Sequence, residues 1–77
     1  MKNILDFKAI GARIKEARTD AGQSQKQFAD MIECDQAYVS QIETGVTKPS
    51  LAFLAALSKF SGQSIDYFLF GGLRRRL

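Results

Sequence analysis

SQKQFADMIECDQAYVSQIETG, from Ser24 to Gly45, is the stretch that decides how this chain folds. It holds two polar punctuation marks, Ser24 and Asp35, each followed by a run that is apolar at helical spacing. Each run has room for only about two or three turns, and isolated helices below about 12 to 15 residues are marginal in water because the first turn is costly to nucleate. Neither piece can stand alone, so the rest of the chain must hold both. Ser24 with Gln27 three residues on reads as a capping box, in which each side chain satisfies the other residue's orphan amide. A second helix follows to about Ile32, with Phe28, Ala29 and Ile32 inward. Asp35 reads as the N-cap of a third helix reaching Thr44, and Gly45 suits the left-handed conformation that closes it.

Working outward, Phe7, Ile10, Ile14 and Ala17 share one helical face, with Lys8, Arg13, Lys15 and Glu16 largely on the others. That predicts a first amphipathic helix ending near Gly22. Pro49 and Ser50 open a fourth helix whose Leu51, Leu54 and Leu57 form a core stripe, and Gly62 stops it. A last short helix runs from a Ser64 cap through Ile65, Phe68 and Leu69 to Gly71. Strand signals do not recur. The expectation is a compact all-α domain of five helices over 1–71, followed by a short basic tail, 72–77.

Composition bounds what such a domain does. A chain of 77 residues is near the lower limit for a self-sufficient core, so pairing with a second copy would supplement it. The 45% hydrophobic and 25% charged content with a single proline is that of an ordered globular protein. No apolar run approaches the roughly 20 residues of a membrane span, and MKNILDFK lacks the apolar segment of a signal peptide, which points to a cytosolic protein with no membrane partner. There is no histidine and only one cysteine, Cys34, expected as a small half-buried turn residue. No nucleophile and base pair, metal set or cofactor site can be assembled from these residues, so an enzyme is not expected. The net charge of +3 is confined to Arg74, Arg75 and Arg76, because residues 1–73 carry eight basic and eight acidic side chains. The pI of 9.3 therefore reports a tail, which either adds phosphate affinity or aids solubility.

The third helix shows what the short pieces are for. At about 100° per residue, Val39 and Ile42 fall near 300° and 240° from Gln36, which places the buried arc near 270°. Gln36, Ala37, Ser40, Gln41 and Thr44 face the other way, and none of them is charged. Such a face is either merely solvated or made for hydrogen bonding to another surface. Tyr38, at the margin of the buried arc, is expected to pack rather than to stack on a base. Two short helices joined by a tight turn, the second showing a small polar face, have the design of a helix-turn-helix.

At this point the run IGARIKEARTDAGQSQKQFADMIECDQAYVSQIETGVTKPSLAFLAALSKFSGQSIDYFLFG resembles the Cro/C1-type (XRE) helix-turn-helix domain of phage repressors and bacterial regulators. Arg18, Ser24-Gln25, Phe28-Ala29, Ser40, Ile42, Glu43, Gly45, Pro49-Ser50-Leu51 and Ser64, Asp66, Tyr67 fall at family positions in family order. One position departs: Glu33 stands where the family most often has glycine, in a turn whose left-handed conformation costs other residues about 1 kcal/mol or more.

The resemblance implies a lambda-repressor-like fold and a double-stranded DNA operator as partner. It implies base-edge contacts from Gln36, Ala37, Ser40 and Gln41, with glutamine able to bond adenine N6 and N7 together. Phosphate contacts are implied for Gln25, Thr44, Thr47 and Lys48, and an ion pair between the first and third helices for Arg18 and Glu43. The function expected is a sequence-specific transcriptional regulator, a repressor, bound as a homodimer to a two-fold symmetric operator through residues 36–44. Phe53 and Phe70 are the expected dimer anchors. An antitoxin, a restriction-modification controller with its own protein partner, and an interaction module that no longer reads DNA are the alternatives.

Overall fold

The computed structural model describes residues 4–72; the expected arginine tail lies outside them. Five helices follow one another, α1 (Phe7–Asp20), α2 (Gln25–Ile32), α3 (Gln36–Glu43), α4 (Leu51–Ser61) and α5 (Ile65–Phe70). No strand joins them among the described residues, and none of the described helices is long and apolar enough to cross a membrane.

Local chemistry sets the helix starts. Asp6 Oδ1 accepts from the Ala9 amide at 3.1 Å, Ser50 Oγ from Phe53 and Ser64 Oγ from Tyr67, each also at 3.1 Å. The capping box of α2 is complete: Ser24 Oγ accepts from the Gln27 amide at 3.0 Å while Gln27 Oε1 accepts from the Ser24 amide at 2.9 Å. Asp35 holds the cap position of α3 with extended backbone, but its side chain makes no cap bond; its backbone carbonyl instead accepts from Tyr38 and Val39. Between α2 and α3, Glu33 takes the left-handed conformation, φ 62 and ψ 49.

The fully buried side chains are Ile10, Ile14, Phe28, Val39, Ile42, Leu57 and Phe68, drawn from all five helices. Phe28 is the hub, edge-on to Phe53 with centroids 5.9 Å apart and tilted on Phe60 at 5.2 Å. Tyr38 packs edge-on against Phe53, and its hydroxyl accepts from the Ser50 amide at 3.1 Å, tying α3 to the start of α4. Two sequence expectations need correction. Leu51 is 82% exposed, so the α4 stripe keeps only Leu54 and Leu57 and gains Phe53. Leu51 has the right azimuth, but as the first residue of the helix it stands beyond the edge of the core. Phe53, expected at a dimer interface, is buried against Phe28 and Tyr38 and cannot anchor a partner; Phe70, 57% exposed, can.

Helix α1 lies against the C-terminal end of α3 more closely than any side chain there would allow. A methyl at Gly11 would overlap the Ile42 carbonyl and come within 2.5 Å of that of Glu43. At Gly45, with φ 82, a methyl would lie 2.8 Å from the Lys8 Cα. A Gly11→Ala variant is expected to lose about 1 to 3 kcal/mol of stability by overpacking. Glu33→Gly is expected to gain up to about 1 kcal/mol by relieving the left-handed residue. Urea unfolding followed by circular dichroism measures both, and a neutral Gly11→Ala would show that α1 can back away from α3.

Candidate nucleic-acid interface

The polar face of α3 is positioned from beneath. Val39 and Ile42 are buried in the core, while Gln36, Ala37, Gln41 and Thr44 are exposed and Ser40 is half-buried. Among the described residues the Gln36 amide makes no bond within the chain, so it remains available to an outside partner.

At the far end of α3 the helix is locked by a buried ion pair. Arg18 Nε donates to Glu43 Oε2 at 2.6 Å and Nη2 to Oε1 at 3.1 Å, with side-chain exposures of 8% and 2%. The third arm of the guanidinium, Nη1, donates to the Gln23 carbonyl at 2.7 Å. Fork-to-fork geometry of this kind fixes direction as well as distance. Gln25 Nε2 completes the group by donating to Glu43 Oε1 at 3.0 Å. One carboxylate thus joins α1, the turn before α2, the first residue of α2 and the last residue of α3. No buried side-chain polar atom among the described residues lacks a partner, which is the condition under which a buried ion pair holds a fold rather than weakening it.

The residues assigned to phosphate differ in what they have left to offer. Gln25 has given one side-chain amide hydrogen to Glu43 and keeps the other, and the capping box leaves the backbone amides of Gln25 and Lys26 at the start of α2 unbonded among the described residues, a local arrangement suited to an anion. Lys48 is exposed, its ammonium 5.8 Å above the Phe7 ring. Thr44 and Thr47 spend their hydroxyls internally: Thr44 Oγ1 donates to the Ser40 and Gln41 carbonyls, and Thr47 Oγ1 donates to Gln41 Oε1 at 3.0 Å. In this structure those two hydroxyls shape the loop after α3.

Cys34 is half-buried in the turn, its thiol pKa raised by burial and then by the charge of Asp35, so it stays protonated around neutral pH. Sequence reasoning missed Gly11, Gln25–Glu43 and Thr47–Gln41. The first carried a signal, because a glycine inside a helical pattern costs about 1 kcal/mol and calls for a packing reason. The two side-chain bonds carried none.

A pair of short helices held by a buried ion pair, the second with its polar face outward, defines the DNA-binding domain of a helix-turn-helix transcriptional regulator. The helix-turn-helix family matches over residues 14–68, and the chain belongs to it, in its Cro/C1-type branch with a lambda-repressor-like fold. A SPbeta prophage-derived HTH-type transcriptional regulator of Bacillus subtilis, YonR, is 36% identical over 62 residues; the match covers 80% of this chain, which spans 57% of the length of that relative. The P22 c2 repressor, solved with a synthetic operator, superposes with a TM-score of 0.76 at 33% identity over 82% of this chain and 96% of that one. The restriction-modification controller C.AhdI of Aeromonas hydrophila gives 0.75 at 28% identity over 83% and 97%.

Removing one member of the ion pair strands a buried charge, so Glu43→Gln is expected to cost about 3 kcal/mol. Arg18→Met combined with Glu43→Leu should cost less than the sum of the two single changes, since each alone already breaks the pair. Thermal unfolding of Glu43→Gln and of the four proteins of the cycle, namely the unaltered chain, Arg18→Met, Glu43→Leu and the double variant, tests this; strict additivity would show that the pair is not coupled.

Proposed function

We propose that this chain is a sequence-specific repressor that binds a two-fold symmetric operator as a homodimer, with α3 in the major groove. The observation that carries the reading is the outward face of α3: amides and a hydroxyl without charge, on a helix whose opposite side is immobilised. Uncharged amides gain little as a solubilising surface but match the donor and acceptor pattern of base edges. In this reading Gln36 and Gln41 bond bases, Ala37 and Ser40 allow close approach, and an alanine methyl can meet a thymine methyl. Gln25 and the α2 amides hold one phosphate and Lys48 another, with Thr44 and Thr47 shaping the loop that carries Lys48. The P22 c2 repressor's complex with an operator supports DNA as the partner.

The dimer is supported by exposed apolar side chains and an apolar groove. Leu51 and Phe70 are 82% and 57% exposed, and Leu5, Phe7, Lys48, Pro49, Leu51, Leu54 and Leu69 line a groove of about 430 Å³. Two copies joined there would present recognition helices to successive turns of the duplex, about 34 to 36 Å apart. A second reading, control of a restriction-modification system, is supported by the match to C.AhdI over nearly its whole length.

Gln36→Ala or Gln41→Ala is expected to lose about 1 to 3 kcal/mol on the preferred operator while unrelated DNA is bound as before. Lys48→Ala should weaken every sequence alike and make the log-log salt dependence shallower by about one unit. Binding titrations at several salt concentrations, with sedimentation of the complex, test all of this. One chain per operator would exclude the homodimer. An absence of DNA binding by the folded protein at low salt would favour an interaction module.

A further inference from the structure

Gln36 and Gln41 stand on the same exposed face, yet the structure treats them differently. The Gln36 side chain is bonded to nothing among the described residues. Gln41 is the point on which the following loop closes: its backbone carbonyl accepts from the Val46 amide at 2.9 Å, the Thr47 amide at 3.2 Å and Thr44 Oγ1 at 3.2 Å. Its side-chain oxygen accepts from Thr47 Oγ1 at 3.0 Å. Both donors of Thr47 therefore point at one residue of α3, and the Gln41 carboxamide is held by its oxygen end.

We propose that Thr47 is a specificity-positioning residue: by holding the carboxamide oxygen of Gln41 it turns the Nε2 end outward, selecting guanine over adenine at the base that Gln41 reads. The proposal rests on the reading of α3 as the base reader and goes beyond it in naming the edge that is read. A glutamine with both ends free bonds adenine in a bidentate way, accepting from N6 and donating to N7. The hydroxyl takes one of the two lone pairs of the Gln41 oxygen and holds that oxygen toward the loop, so Nε2 is the end offered to a base. Guanine presents two acceptors there, N7 and O6, whereas adenine sets beside its N7 acceptor an N6 donor that this orientation leaves unmatched. Pinning also removes rotamer freedom before binding, so less is lost when the contact forms. Thr47 itself touches no base in this scheme; it acts through Gln41.

The test is selection of bound sequences from a random DNA pool by four proteins: the unaltered chain, Gln41→Ala, Thr47→Val and Thr47→Ser. The Gln41→Ala profile identifies the base pair, as the position where preference disappears. At that pair the unaltered chain and Thr47→Ser, which keeps the hydroxyl, are expected to select guanine. Thr47→Val, equal in shape but without the hydroxyl, should admit adenine there, shifting the ratio by about tenfold, with every other position unchanged. A merely structural Thr47 would weaken all sequences together and leave the profile as it was, and that outcome overturns the proposal. Adenine selected at this pair by the unaltered chain overturns it too, without recourse to a variant. If Gln41→Ala changes no position, Gln41 reads no base, and the assignment of Gln41 as a base reader falls together with this proposal. If Gln41→Ala erases a preference that Thr47→Val leaves intact, only the role of Thr47 is lost.

Discussion

The Glu43 carboxylate is the interaction on which this domain depends. It sits at the end of α3, 2% exposed, and receives Arg18 from α1 and Gln25 from α2. A charge so deeply placed is tolerated only because both oxygens are filled by donors in good geometry. In return it fixes three helices relative to one another at a single point. The close crossing at Gly11 serves the same end, since α1 can reach the last turn of α3 only where no side chain intervenes. Helices of eight residues, too short to persist alone, become rigid because neighbours hold both their buried faces and their ends.

Rigidity matters because the outer face of α3 has few other resources. It carries no charge, so it has no long-range attraction for a polyanion, and its hydrogen bonds gain selectivity only if their directions are set in advance. The core beneath supplies the azimuth through Val39 and Ile42, and the ion pair supplies the position along the axis. The loop from Thr44 to Lys48 adds a third restraint by folding back onto Gln41.

The sequence by itself determined the element order, the caps of α2, α4 and α5 and the division of α3 into buried and exposed arcs, while the left-handed turn at Glu33 was legible through the resemblance to the family. The first three follow from periodicity and side-chain capping, both of which act over three or four residues. The pairing of Arg18 with Glu43 was legible only through the resemblance to the family, because nothing in their spacing of twenty-five residues demands it. Only the tertiary structure decided the fates of Leu51 and Phe53. Helical period gives a direction around the axis, and what stands opposite at each height belongs to another part of the chain. The same holds for the amides and hydroxyls of Gln25, Gln41, Thr44 and Thr47. Their residue types announce the ability to bond, but whether a donor meets a neighbour or is left for DNA depends on distances that exist only after the helices have packed.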